Sequence, residues 1–170
     1  MKRTLSLVAA LVVTAALVTG ASALLQEHKP ATVVTAELDA YWSSLAKTVS
    51  EGNYDGYTAG YHPDAVLVSV SSGNSYPISQ AFAGWKQGFD DTKAGRMKAG
   101  VEFRFTQRLN DATTAHETGM FRYWAQPAGQ EPEVMLVHFE ALLVKKGGKW
   151  LTVMEYQKTP AGQAEWDAAD

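Results

Sequence analysis

Two glutamates, a histidine and an amide near the C-terminal end of the chain have the spacing of a shared site. Gly147-Gly148 separates two runs rich in β-branched and aromatic residues, 134–145 and 149–158, and predicts a tight hairpin. Counting outward from the glycines, Val144 opposes Leu151, Leu142 opposes Val153, Glu140 opposes Glu155 and His138 opposes Gln157. Directly opposed residues share one face of the ribbon. Glutamates with Cβ atoms about 5 Å apart repel one another unless one is protonated or a cation lies between them. Enclosure would raise one apparent pKa, leaving an acid that donates beside a carboxylate that accepts, which is what general acid and base catalysis requires. Glu140, Glu155 and His138 are therefore the candidate catalytic groups, with Glu140 as donor and Glu155 or His138 as acceptor. Gln157, Leu142 and Val153 are candidate ligand contacts on the same face. The competing reading leaves both acids in solvent or paired with Arg104, Arg108 or Arg122.

His116 and Glu117 are adjacent and must point to opposite sides of their strand. A two-residue loop at Asn110-Asp111 puts His116 on the side of Phe105, and one extra residue puts Glu117 there, so both are candidate ligand contacts. Tyr57 and Trp85 belong to two aromatic stripes, Tyr54/Tyr57/Tyr61 and Phe82/Trp85/Phe89, and are the rings best suited to a flat apolar ligand. The four histidines lack the spacing of a helix-borne zinc site. Without cysteine, His138, Glu140 and Glu155 make a weak ligand set, so neither a metal nor a cofactor is expected. His62 and Asp64 read as turn residues. The chain carries no Gly-x-Ser-x-Gly, phosphate loop or dinucleotide fingerprint. With 15 basic against 18 acidic side chains and no basic cluster, it has no nucleic-acid surface.

These side chains need elements to hold them. Val34, Leu38, Tyr41, Trp42, Leu45 and Val49 recur at helical spacing and predict a first helix ended by Gly52. Asn53 can cap a short second helix that stops at His62-Pro63-Asp64. Residues 65–70 read as a strand, 71–75 as a turn cluster and 79–93 as a third helix. Beyond Gly100 the period changes to two, with strands over 101–106, 113–125, 134–145 and 149–158, while 159–170 reads as a polar, loose tail. Helices first and long antiparallel strands afterwards specify an α+β plan with helices on one face of a curved sheet. The other face of the hairpin, with Trp150, Leu143, Thr152, Ala141, Met154, Phe139 and Tyr156, is also apolar. Helices can cover only one side, so the second is expected to pack against another subunit.

The chain opens with Lys2 and Arg3, an apolar run over 5–18 and the small residues Ala21-Ser22-Ala23. This is the pattern of a secretory signal cleaved after Ala23, and the product is expected in the periplasm or outside the cell, free of the membrane. The charge-free stretch 4–26 is also long enough to span a bilayer, which keeps an uncleaved anchor as the competing reading. Residues 24–31 read as a flexible leader and 32–158 as one domain. The composition, 46% hydrophobic and 19% charged over 170 residues, is that of a globular chain, and with no cysteine its stability must come from packing.

Gly52-Asn53, the run 54–61, His62-Pro63-Asp64-Ala65-Val66-Leu67-Val68 and Lys146-Gly147-Gly148-Lys149-Trp150 resemble the nuclear transport factor 2-like superfamily. Within it, the chain is most similar to the SnoaL-like and ketosteroid-isomerase-like proteins. The resemblance implies a cone-shaped curved antiparallel sheet, a cystatin-like α+β barrel, with three N-terminal helices on its concave face and often a dimer through the outer sheet face. Counted against ketosteroid isomerase, Leu45 stands where that family has its oxyanion-hole tyrosine and Ser69 where it has its general base. Glu140 falls at the oxyanion-hole aspartic acid, and Glu155 on the pocket side. The resemblance thus moves Glu140 and Glu155 inward while arguing against steroid isomerisation by the known route.

The leading expectation is an exported protein that binds a small, partly apolar molecule in a cone-shaped pocket, as a homodimer. The alternatives are a cofactor-free acid/base enzyme of isomerase, dehydratase or cyclase type, and a dimeric assembly module with no active pocket.

Overall fold

Val34, Leu38, Trp42, Leu45 and Val49 recur every three or four positions, and all five are buried along the inner side of helix α1 (Ala31–Ser50). The computed structural model describes residues 31–169. The expected signal segment, and all of the expected leader but Ala31, lie outside the described residues. Gly52 ends the helical hairpin segment with φ +63°, and a Cβ there would sit 2.3 Å from the Lys93 amide nitrogen. Only glycine allows both the left-handed turn and the close approach of the two chain segments. Asn53 accepts from the Gly56 amide at 2.9 Å and caps α2 (Tyr54–Thr58). Helix α3 (Ile78–Lys93) buries Ile78, Ala81, Phe82 and Phe89.

The strands are β1 (Tyr61–Ser69), β2 (Asn74–Pro77), β3 (Met97–Asn110), β4 (Thr114–Pro127), β5 (Glu133–Lys146) and β6 (Lys149–Pro160). They form one curved, open sheet in the order β2-β1-β6-β5-β4-β3. All neighbours are antiparallel except β1 and β6, which run parallel. Helices α1 and α3 pack on the inner face against Leu67, Phe121, Phe139, Ala141, Leu143 and Trp150. The α+β plan with N-terminal helices over a curved sheet is therefore the observed one.

Three local expectations are corrected. The strand expected at 65–70 begins at Tyr61, and His62-Pro63-Asp64 lies within it. Its pairing with β6 is irregular between Tyr61 and Val66, where Pro63 has no N–H to give the ladder. Part of the expected turn cluster is strand, since β2 pairs with β1 from Ser69 opposite Asn74 to Val66 opposite Pro77.

The third correction concerns the tail. Residues Gln163–Ala168 form a short helix, α4, and Trp166 is 2% exposed. Its ring lies 4.6 Å from the Arg104 guanidinium and 5.6 Å from that of Arg122, and Arg104 also donates to its carbonyl at 2.5 Å. Arg104, Met120 and His138 are neighbours in one row across β3, β4 and β5 on the face opposite the helices. One end of the outer face is therefore covered by the chain's own C-terminus. Trp166→Ala is expected to lower unfolding free energy by about 3 kcal/mol in urea titration, as for other buried large aromatics.

Candidate functional site

The Gly147-Gly148 turn has positive φ at both positions, 55° and 78°, as a two-residue hairpin of matching twist requires. From it, Lys146 pairs with Lys149, Lys145 with Trp150, Val144 with Leu151 and Leu143 with Thr152. The register then slips: Leu142 pairs with Met154, leaving Val153 as an extra residue in β6. Beyond the bulge Glu155 opposes Ala141, Gln157 opposes Phe139 and Tyr156 opposes Glu140. Because side chains alternate, one inserted residue turns the side chains that follow it in β6, through Gln157, to the other face. The expected juxtaposition of Glu140 and Glu155 is thus corrected: they stand on opposite faces of the ribbon.

Glu140 is on the outer face, where Lys158 Nζ donates to it at 2.7 Å and His116 Nε2 lies 3.4 Å away. The Lys158 hydrogen bond holds its carboxyl below the ordinary glutamate value. His138 is also outside, 3.5 Å from Glu165 of α4. Leu142 is 40% exposed on the same face, and Val153, the bulged residue, is half-buried and does not line the cavity. The pairings of Glu140 with Glu155 and of Leu142 with Val153 are undone by this slip, and the inward placement of Glu140 and His138 by β5 itself, whose Phe139, Ala141 and Leu143 are the residues that face the helices.

A second bulge settles the alternative between His116 and Glu117. Phe105 pairs with Gly119 but Gln107 with Thr118, so Thr106 is extra and Glu117 joins Phe105 on the inner face. The extra residue sits in the strand rather than at the turn. Glu117 is fully buried and accepts from Arg108 Nε at 2.5 Å and from Trp42 Nε1, while Arg108 also reaches Asp39 of α1. It touches no cavity space. Its carboxylate pins α1 to the β3–β4 ribbon and orients the Trp42 indole.

The cavity between helices and sheet has a volume of about 450 Å³, within the usual span of small-molecule sites. Trp42 and Val49 of α1, Tyr57 of α2 and Trp85 and Phe89 of α3 form one wall. Met97, Val101, Phe103, Phe121, Tyr123 and Phe139 form the sheet wall, and Glu155 and Gln157 of β6 supply polar groups. Of the residues singled out from sequence, Glu155, Gln157, Tyr57 and Trp85 are brought together here; Glu140, His138, His116, Leu142, Val153 and Glu117 are not.

Tyr61, expected in the second helix from its spacing, opens β1 and is the closest partner of Glu155. Its hydroxyl donates to Glu155 Oε2 at 2.6 Å, and Gln157 Nε2 donates to Oε1 at 2.7 Å. Tyr61 has one proton to give, so the 3.1 Å contact with Tyr57 must be donated by Tyr57. The result is a directed chain, Tyr57 to Tyr61 to Glu155. Burial pushes the Glu155 carboxyl above the ordinary value, opposed by its two hydrogen bonds. Burial, reinforced by the Glu155 charge, holds both tyrosines well above theirs. Among the described residues no cluster of three acids or histidines is placed to hold a metal ion.

A carboxyl whose pKa is raised by folding stabilises the fold fully below the ordinary carboxylate range and loses that contribution as pH rises through the raised value. Glu155→Gln removes the loss, so its melting temperature relative to wild type is expected to climb by about 4 °C between acid and neutral pH, read by differential scanning calorimetry. Glu117→Ala leaves Arg108 without its buried partner and is expected to cost about 3–5 kcal/mol in denaturant titration.

No protein-family model and no curated protein matches the sequence. Solved structures do. An NTF-2-like protein of unknown function from Shewanella oneidensis MR-1 superposes with TM-score 0.57 at 15% identity, over 74% of this chain and 99% of that one. A conserved protein from Planctomyces limnophilus DSM 3776 gives TM-score 0.64 at 10% identity over 76% and 99%. ActVI-ORFA from Streptomyces coelicolor gives 0.58 at 16% identity over 74% and 96%. Such identities speak for architecture alone. With its helices over a curved sheet and the β2-β1-β6-β5-β4-β3 order, this chain has the nuclear transport factor 2-like fold.

Proposed function

We propose that this protein binds a small, largely apolar molecule in the cavity between its helices and its sheet, with Glu155 as the polar anchor. The observation that carries the reading is a carboxyl group facing an aromatic-walled space, aligned by Tyr61 and Gln157 and bonded to neutral donors only. A structural acid would be neutralised, as Glu117 is by Arg108. Rings supply contact area, and the carboxyl fixes orientation. A second reading, proton transfer on the bound molecule, is favoured by the raised Glu155 pKa and the tyrosine chain behind it. It needs Glu155 alone rather than an acid pair.

The chain also reads as exported after removal of residues 1–23. A homodimer would use the outer-face row Leu109, His116, Leu142 and Met154, because α4 occupies the other end. Leu109 and Leu142 in that row are 56% and 40% exposed.

Native mass spectrometry of protein purified from its source is expected to show a retained small molecule, lost in Trp85→Ala. A molecule that leaves unchanged after long incubation would count against proton transfer. The intact mass of exported protein should begin at Leu24. Light scattering should give twice the chain mass, reverting to one chain mass in Leu142→Asp.

A further inference from the structure

The cavity wall carries one formal charge. Glu155 supplies it, and among the described residues no lysine, arginine or histidine lines the space. Arg108, which meets Glu117 on the inner face, is committed to Glu117 and Asp39. Both hydrogen bonds to the Glu155 carboxylate come from neutral donors, Tyr61 and Gln157, which leave its negative charge in place and two of its four lone-pair sites open. The rings of Trp42, Tyr57, Trp85, Phe103 and Tyr123, whose π faces are electronegative, line the same cavity. An anionic ligand would meet repulsion from carboxylate and rings alike, with no group to neutralise it. A neutral ligand would leave a buried charge uncompensated. A cation is attracted by both.

We infer that the ligand is an organic monocation, a protonated amine or quaternary ammonium carried on a flat apolar skeleton, with its charged nitrogen against Glu155 and its skeleton among the rings. This rests on the binding reading above. It excludes phosphorylated compounds and carboxylic acids as ligands of the cavity.

Isothermal titration calorimetry at neutral pH with naphthylmethylamine, naphthylmethanol and naphthoate presents one ring system in three charge states. The amine is expected to bind about tenfold more tightly than the alcohol, and naphthoate not to bind. In Glu155→Gln the amine should fall to the affinity of the alcohol. If the wild-type protein binds alcohol as well as amine, the charge assignment is overturned while the cavity remains a binding site. If none of the three binds, both readings fall. Should the variant not fold, the wild-type ratio of amine to alcohol decides alone.

Discussion

Thr152 is gripped from two sides: its amide donates to the Gly60 carbonyl at 3.0 Å, and its hydroxyl donates at 2.7 Å to a Tyr41 oxygen whose own proton goes to Gly60. The next residue, Val153, is the first that β6 has in excess of β5. Up to this point Trp150 and Thr152 face the core; after it Glu155 and Gln157 do. Without the slip, Met154 and Tyr156 would face the cavity, and Glu155 would stand outside beside Glu140. The polar end of the cavity exists because β6 slips by one residue directly after Thr152, which Tyr41 of α1 and Gly60, just before β1, hold in place.

The two inward acids receive opposite treatment. Glu117 is closed off by Arg108 and Trp42, and Arg108 in turn stacks over Phe105 with its guanidinium 4.4 Å from the ring centre. That cluster consumes its own charge and fixes one indole of the cavity wall. Glu155 meets only a phenol and an amide. Burial then acts on it without an opposing cation, which raises its pKa and makes it responsive to what enters the space.

The periodic elements were legible in the residues. The α1 stripe, the cap at Asn53, the third helix and the Gly147-Gly148 hairpin follow from local chemistry, and the α+β plan follows from their order. Register was not legible, because a bulge has no composition: Thr106 and Val153 look like ordinary strand residues. The juxtaposition of Glu140 with Glu155 failed for that reason, and Glu140 itself was placed inward because both faces of the hairpin are apolar, whereas Tyr57 and Trp85 sit on helices whose faces the 3.6-residue period fixes. Tyr61 was misplaced because the Tyr54/Tyr57/Tyr61 spacing continues a helical stripe across a break at Gly60. The tail was misread because one tryptophan among polar residues gives no periodic signal, although its burial between two arginines depends on that residue alone.

The parallel pairing of β1 with β6 has a temporal side. Tyr61 and Glu155 share a hydrogen bond across 94 residues of chain, and β6 is the last strand to be made. The β3–β6 meander can assemble from near neighbours, but β1 has only β2 beside it until β6 has left the ribosome. A nascent chain is therefore without a cavity until β6 is made, and anything that occupies the cavity discriminates chains that carry β6 from chains that stop before it.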